Sequence, residues 1–149
     1  MLLDIGCGDN KRDARAVGVD RRPYEDVDVV ADLERGLPFA ADSVDGVLAY
    51  SVLEHVADFP GLMADLHRVC RSGAVVEGKV PHWTDRNAYV DPTHVNFFDE
   101  RTFGFWDPTT EFGERGYFDA EFRVRTAKRI RRVQFWKSRP IEFELEVVK

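Results

Sequence analysis

Apolar residues cluster in five short runs, Leu2–Ile5, Ala16–Val19, Asp28–Ala31, Val44–Ala49 and Ala74–Val80, each closed by a polar or glycine-rich turn. None shows the clean alternation of a half-exposed sheet, so the runs read as parallel strands covered on both faces. One segment has helical spacing. Phe59, Leu62, Met63, Leu66, Val69 and Cys70 share a face, Asp58 stands at the N-cap, Pro60 lies in the first turn and Gly73 follows the last. The outer face of this helix carries Asp65, His67, Arg68 and Arg71, which makes His67 a solvated surface residue.

The connections are short for a parallel sheet, whose crossovers normally take a dozen or more residues and a helix. Only GCGDNKRDAR joins the first two runs, and DRRPYEDV, broken by Pro23, joins the next two. Neither holds a full helix. After the fifth run, Pro81 and Pro92 argue against a long helix before Asp99, and Asp99 is placed to cap a short one through Trp106. Glu121–Val133 and Ile141–Val148, separated by KSRP, fit a closing antiparallel hairpin. The expected fold is α/β: a Rossmann-like open sheet, mostly parallel, with reduced helices on one side.

Composition narrows the class. With 149 residues, 44% hydrophobic and 32% charged, the chain reads as one globular domain spanning 1–149. No apolar run approaches the roughly 18 residues of a spanning helix, and no basic region precedes an apolar core, so a cytoplasmic protein is expected. Cys7 and Cys70 lack the spacing of a zinc site or disulfide framework and read as reduced and structural. A net charge of −6 argues against a surface that grips nucleic acid everywhere. Against that trend, residues 123–139 gather Arg123, Arg125, Lys128, Arg129, Arg131, Arg132, Lys137 and Arg139.

Gly6 and Gly8, directly after the first run, remove side chains where a ligand would approach backbone. Asp20 ends the second run beside that turn, placed to accept from two ribose hydroxyls. Asp32 ends the third, placed to accept from an adenine amino group while Leu33 covers the ring. A dinucleotide fingerprint would need a third glycine where Lys11 stands.

The series LDIGCG, GVD, ADLERGLPFAADSVDGVLAYSVLEHV, HRVCRSGAVV and VPHW resembles a class I S-adenosylmethionine-dependent methyltransferase of the small-molecule group, over Leu2 to about His82. The resemblance implies a seven-stranded sheet in the order 3-2-1-4-5-7-6 with the last strand antiparallel. It implies S-adenosylmethionine as cofactor. The positions it marks for that cofactor are Asp4, Gly6, Cys7 and Gly8 at the turn, Asp20 and Arg21 at the ribose, Asp32 and Leu33 at the adenine, and Tyr50 and Ser51 on the way to the acceptor. The family usually has helices between the first strands, which this chain has no room for. Without a helix N-terminus near the ligand's anionic end, Lys11 or Arg12 is expected to pair with the methionine carboxylate.

His55, His82 and His94 follow the fourth and fifth strands and are expected to converge on one cleft, with His82 or His94 as base or acceptor-orienting group and His55 partly structural. The loop between His82 and His94, with Trp83, Tyr89, Asn96, Phe97 and Phe98, supplies the expected pocket walls. With Asp91 and Glu54 nearby in sequence, these histidines could assemble a divalent metal site, but the spacings match no tight ligand motif and no metal is expected. The acceptor is expected to be a small molecule. RNA bound by the basic run with Phe135 and Trp136 is the alternative, as is a protein that binds the cofactor without catalysis. The thinly covered sheet face near strands one to three suggests a homodimer.

Overall fold

The apolar runs pair into one sheet because each is too short and too apolar to stand alone and must bury both faces. The computed structural model describes residues 1–130 and 139–149. Its strands are β1 (Leu2–Ile5), β2 (Val17–Asp20), β3 (Val29–Val30), β4 (Val44–Tyr50), β5 (Cys70–Pro81), β6 (Glu121–Arg129) and β7 (Pro140–Val148). They lie in the order β3-β2-β1-β4-β5-β7-β6. β1 to β5 are parallel, and β7 runs antiparallel to both neighbours. This is the Rossmann-like strand order expected above, and it reverses between β1 and β4. Open α/β sheets leave a crevice at such a reversal, beyond the carboxyl ends of the strands.

One face is packed. Helix α1 (Phe59–Val69) buries Phe59, Leu62, Met63, Leu66 and Val69, each side chain contributing about 1.5–3 kcal/mol by its removal from water. Asp58 caps it by accepting from the Gly61 N–H at 2.9 Å. Beside it, the 3₁₀ turn Thr102–Trp106 brings Phe103 to 4.5 Å from Phe143 and Trp106 to 5.1 Å from Phe59, measured between ring centroids. Among the described residues no helix covers the other face. There Leu2, Leu48, Tyr50 and Val75 border a shallow groove together with Arg12 and Glu77.

Several boundaries differ from the sequence reading. Cys70 is not in the last helical turn: it is extended (ψ 142°) and opens β5 by pairing with Val44, and Gly73 lies within that strand. Asp99 does not cap the 3₁₀ turn, which starts at Thr102. It accepts from the Arg101 N–H and side chain instead. His67 is not a solvated residue. Its Nε2 reaches the Val148 carbonyl at 2.8 Å and its ring meets Phe122 edge to face, joining α1 to the hairpin. The strand expected to reach Val133 ends at Arg129, and residues 131–138, with Arg131, Arg132, Phe135, Trp136 and Lys137, lie outside the described residues. A last short helix, α2 (Asn87–Val90), sits in the loop after β5.

Candidate active site

The turn after β1 passes through Gly6 and Gly8, both in the left-handed region (φ 66° and 59°). A Cβ on Gly6 would stand 2.4 Å from Val52 Cγ2, whereas one on Gly8 would meet nothing within 4 Å. Gly6 is therefore demanded by packing, and Gly8 faces open space. The Gly6 N–H donates to the Val19 carbonyl and the Gly8 N–H to Asp20 Oδ2 (3.1 Å), tying the turn to β2. Asp20 Oδ1 accepts from the Arg22 N–H (3.0 Å). A carboxylate offers about four acceptor positions, so these bonds fix Asp20 and leave capacity for a ligand. Past β3, Asp32 caps the 3₁₀ turn Leu33–Arg35 through the Glu34 N–H (3.1 Å). Glu34 accepts in turn from the N–H groups of Ala57 (2.6 Å) and Asp58 (3.1 Å). Together these elements wall a cleft of about 460 Å³ lined by Gly6, Gly8, Asp20, Arg21, Asp32, Leu33, Ser51, His55 and Asp91, with Arg22, Tyr24 and Thr93 at its border.

A second cleft of about 450 Å³ adjoins it, lined by Glu54, Lys79, Val90 and His94 among others. Ser51, His55 and Asp91 line both. Ser51 stands at φ 57°, an uncommon conformation for a residue with a side chain, held by its N–H bond to the Lys79 carbonyl (2.8 Å). His55 and His94 meet edge to face, ring centroids 4.6 Å apart. His94 Nδ1 lies 3.1 Å from the Ala88 carbonyl, which can only accept, so the proton is on Nδ1. His55 Nδ1 lies 2.9 Å from Thr93 Oγ1, whose own proton goes to Asp91 Oδ1, so His55 also carries its proton on Nδ1. Both Nε2 atoms keep their lone pairs. Burial, and then the neighbouring His94, lower the His55 pKa and keep that ring neutral. Beneath them Glu54 is 2% exposed, its Oε2 is buried without a hydrogen-bond partner, and burial pushes its carboxyl up to about 7.

A methyltransferase domain model matches residues 3–76, about half of the chain, from β1 into β5 and including most residues of the first cleft. The chain belongs to the class I S-adenosylmethionine-dependent methyltransferases. Solved structures share the fold across 99% of its length. A complex between the Haloferax volcanii Trm112 methyltransferase activator and a methyltransferase matches at TM-score 0.70 and 15% identity, over 82% of that chain. The 1,6-didemethyltoxoflavin-N1-methyltransferase of Burkholderia thailandensis matches at 0.67 and 14%, over 71%. The 16S rRNA (adenine(1408)-N(1))-methyltransferase of Catenulisporales acidiphilia matches at 0.63 and 15%, over 84%. No curated protein sequence matches the chain.

In this methyltransferase the expected cofactor residues fall into two groups. Gly6, Gly8, Asp20, Arg21, Asp32, Leu33 and Ser51 line the first cleft. Asp4, Cys7, Lys11 and Tyr50 do not. Asp4 is buried and accepts from the Arg12 N–H (2.6 Å), so it holds the loop that replaces a first helix. Cys7 directs its thiol toward the Asp26 carbonyl, and burial pushes that thiol up to about 11. Lys11 is paired with Asp28 at 2.9 Å. Arg12 lies over the Tyr50 ring (4.9 Å) on the uncovered face, and Tyr50 donates to Glu77. Local partners hold both side chains expected at a ligand carboxylate, the Asp28 carboxylate for Lys11 and the Tyr50 ring for Arg12.

The histidines divide as well. His82 does not join His55 and His94. Its ring is buried, its Nδ1 accepts from the Thr84 N–H (3.1 Å) and its Nε2 faces Glu100 (3.1 Å). Of the expected aromatic walls, Phe98 is in the core while Trp83, Tyr89 and Phe97 are exposed, and none lines either cleft. Glu54 was singled out in the sequence only as a neighbour of His55. Burial, the property that distinguishes it, has no sequence signal beyond its place in the apolar run SVLEHV.

Proposed function

We propose that the methyltransferase holds S-adenosylmethionine in the first cleft and methylates a small molecule that enters the second. The observation that carries this reading is the shared wall of Ser51, His55 and Asp91, which sets the two clefts side by side. The cofactor fits the residues present: Gly8 presents bare backbone to the open cleft, Asp20 retains acceptor capacity for ribose hydroxyls, and Asp32 and Leu33 lie where adenine would sit. When bound, the cofactor supplies an electrophilic methyl group on a sulfonium. The chain's own contribution is alignment and proton management. Nε2 of His94 or of His55, each with a free lone pair, takes the acceptor's proton, while Ser51 sets the junction between the clefts. His82, satisfied by Thr84 and Glu100, has no part in this reading.

RNA as acceptor is the weaker alternative. Within the described part of the basic run, Arg125 pairs with Glu146 at 3.0 Å, Arg123 reaches Asp107 and Thr109, and Lys128 is in register with Glu142, so these cations already face acids. Filter binding with RNA across a salt series separates the two acceptors. Self-association through the uncovered sheet face also belongs to this reading, and light scattering at micromolar concentration tests it. The central test is calorimetry with S-adenosylmethionine and S-adenosylhomocysteine, followed by turnover of His55→Ala and His94→Ala against a panel of small acceptors. Micromolar binding with turnover lost in both variants is expected. Absence of cofactor binding, or undiminished turnover, overturns it.

A further inference from the structure

Glu54 sets the problem. A carboxylate 2% exposed, with one oxygen buried and unpartnered, is costly unless something positive meets it. It is not alone: one ligand atom from each of Glu54, His55 and His94 lies within 4.8 Å of those of the other two. Both imidazoles carry their protons on Nδ1, fixed by the Ala88 carbonyl and the Thr93 hydroxyl, so Nε2 of each presents a lone pair. Orientation of a ring by an Nδ1–H bond to a carbonyl or hydroxyl is how proteins prepare a histidine to bind a metal. The loop bearing His94 is itself anchored to the turn bearing Glu54 and His55. Asn96 Nδ2 donates to the carbonyls of Leu53 (2.9 Å) and Val56 (2.6 Å), and the Val95 N–H donates to the Glu54 carbonyl (2.8 Å).

We infer that Glu54, His55 and His94 form a binding site for a divalent first-row transition metal ion of the zinc or manganese class. Two imidazoles and one carboxylate are the donors such ions take, and are too few oxygens for calcium or magnesium. All three residues line the second cleft, and three protein ligands would leave coordination positions for other donors. Asp91, whose Oδ2 lies 3.9 Å from His94 Nε2, adds a second carboxylate at the rim.

The other cluster of this kind, His82 with Asp99 and Glu100, lacks the essential feature. Both ring nitrogens of His82 are already bonded, and Asp99 is engaged by Arg101 and Trp83. The competing occupant of the Glu54 site is Lys79, which lines the same cleft and could supply the positive charge without any ion.

The inference rests on the reading that the acceptor meets the His55–His94 pair and refines it: an ion held there, rather than a bare imidazole, would receive the acceptor's heteroatom. Its test does not depend on methyl transfer. Untagged protein, stripped with chelator, is titrated with Co²⁺ and then Zn²⁺, following visible absorption and calorimetry. One ion per chain is expected, with d–d bands and no sulfur-to-metal charge-transfer band, and His94→Ala and Glu54→Gln should each weaken affinity at least tenfold. Thermal melting and S-adenosylhomocysteine binding of the same variants show whether they remain folded. No stoichiometric binding by the wild type, or binding unchanged in His94→Ala, overturns the site. Metal binding without methyl transfer to any acceptor keeps the site and counts only against the function proposed above.

Discussion

The imidazoles of His55 and His94 stand 4.6 Å apart at an interplanar angle of 74°, although one follows β4 and the other follows β5. Asn96 is the tie that brings them together, since its single amide spans two carbonyls of the turn that carries His55. Replacing it by Ala leaves the Val56 carbonyl without this donor and the Leu53 carbonyl with only the long bond from the Val56 N–H (3.4 Å), which costs about 1–3 kcal/mol. Asn96→Ala should therefore lower the melting temperature and slow turnover while leaving S-adenosylhomocysteine affinity within about twofold. A variant that melts like the wild type would show that the loop is held by other contacts.

The two glycines of the turn should separate in experiment. Gly6→Ala drives a methyl into Val52, at 2.4 Å, and should destabilise the fold by several kcal/mol in chemical denaturation. Gly8→Ala meets nothing and pays only for a left-handed Ala, about 1–2 kcal/mol. Its methyl group nevertheless enters the cradle, so calorimetry should show cofactor binding weakened more than stability.

Asp20 and Lys11 offer a paired comparison at the same turn. Asp20→Asn removes a charged acceptor from the first cleft and should weaken S-adenosylhomocysteine by about 10- to 100-fold, the equivalent of a charged hydrogen bond. Lys11→Ala breaks only the pair with Asp28, away from the cleft, and should leave affinity nearly unchanged. Equal effects of the two substitutions would mean that the loop after Gly8 rearranges around the ligand.

Asp107 links the 3₁₀ turn at Thr102–Trp106 to edge strand β6. Burial alone would raise its pKa, but hydrogen bonds from the Thr109 hydroxyl and from the N–H groups of Val124 and Thr109, with Arg123 nearby, outweigh that and hold it below the usual carboxylate range. A carboxyl lowered in this way adds stability above its unfolded pKa, about 4, and loses that contribution as pH falls through the folded value. Acid denaturation followed by circular dichroism should thus be less steep in Asp107→Asn. The Asn amide can serve Thr109 or Val124 but not both, so the variant should also be less stable at pH 7 by about 1–3 kcal/mol.

Much of the fold was legible because its signals are local. The runs Leu2–Ile5 and Val44–Ala49 announce buried strands, Asp58 and Pro60 announce the start of α1, and the ten residues GCGDNKRDAR are too few for a crossover helix whatever surrounds them. The positions of Gly8, Asp20 and Asp32 followed from where parallel strands must end. What the sequence could not decide is which way a side chain turns once its loop is packed. Lys11 and Tyr50 sit beside cleft residues in sequence yet face other partners, because Asp28, just before β3, and Glu77 on β5 hold them. His82, one residue beyond β5, is buried against Glu100, while His94, twelve residues later, is carried back to His55 by Asn96. Glu54 acquires its character only from burial, which is the sum of contacts from the 3₁₀ turn Leu53–His55, β5 and the returning loop rather than a property of SVLEHV. The sequence determined the strands and the glycine turn; the long-range hydrogen bonds of the tertiary structure decided which polar groups share a cleft.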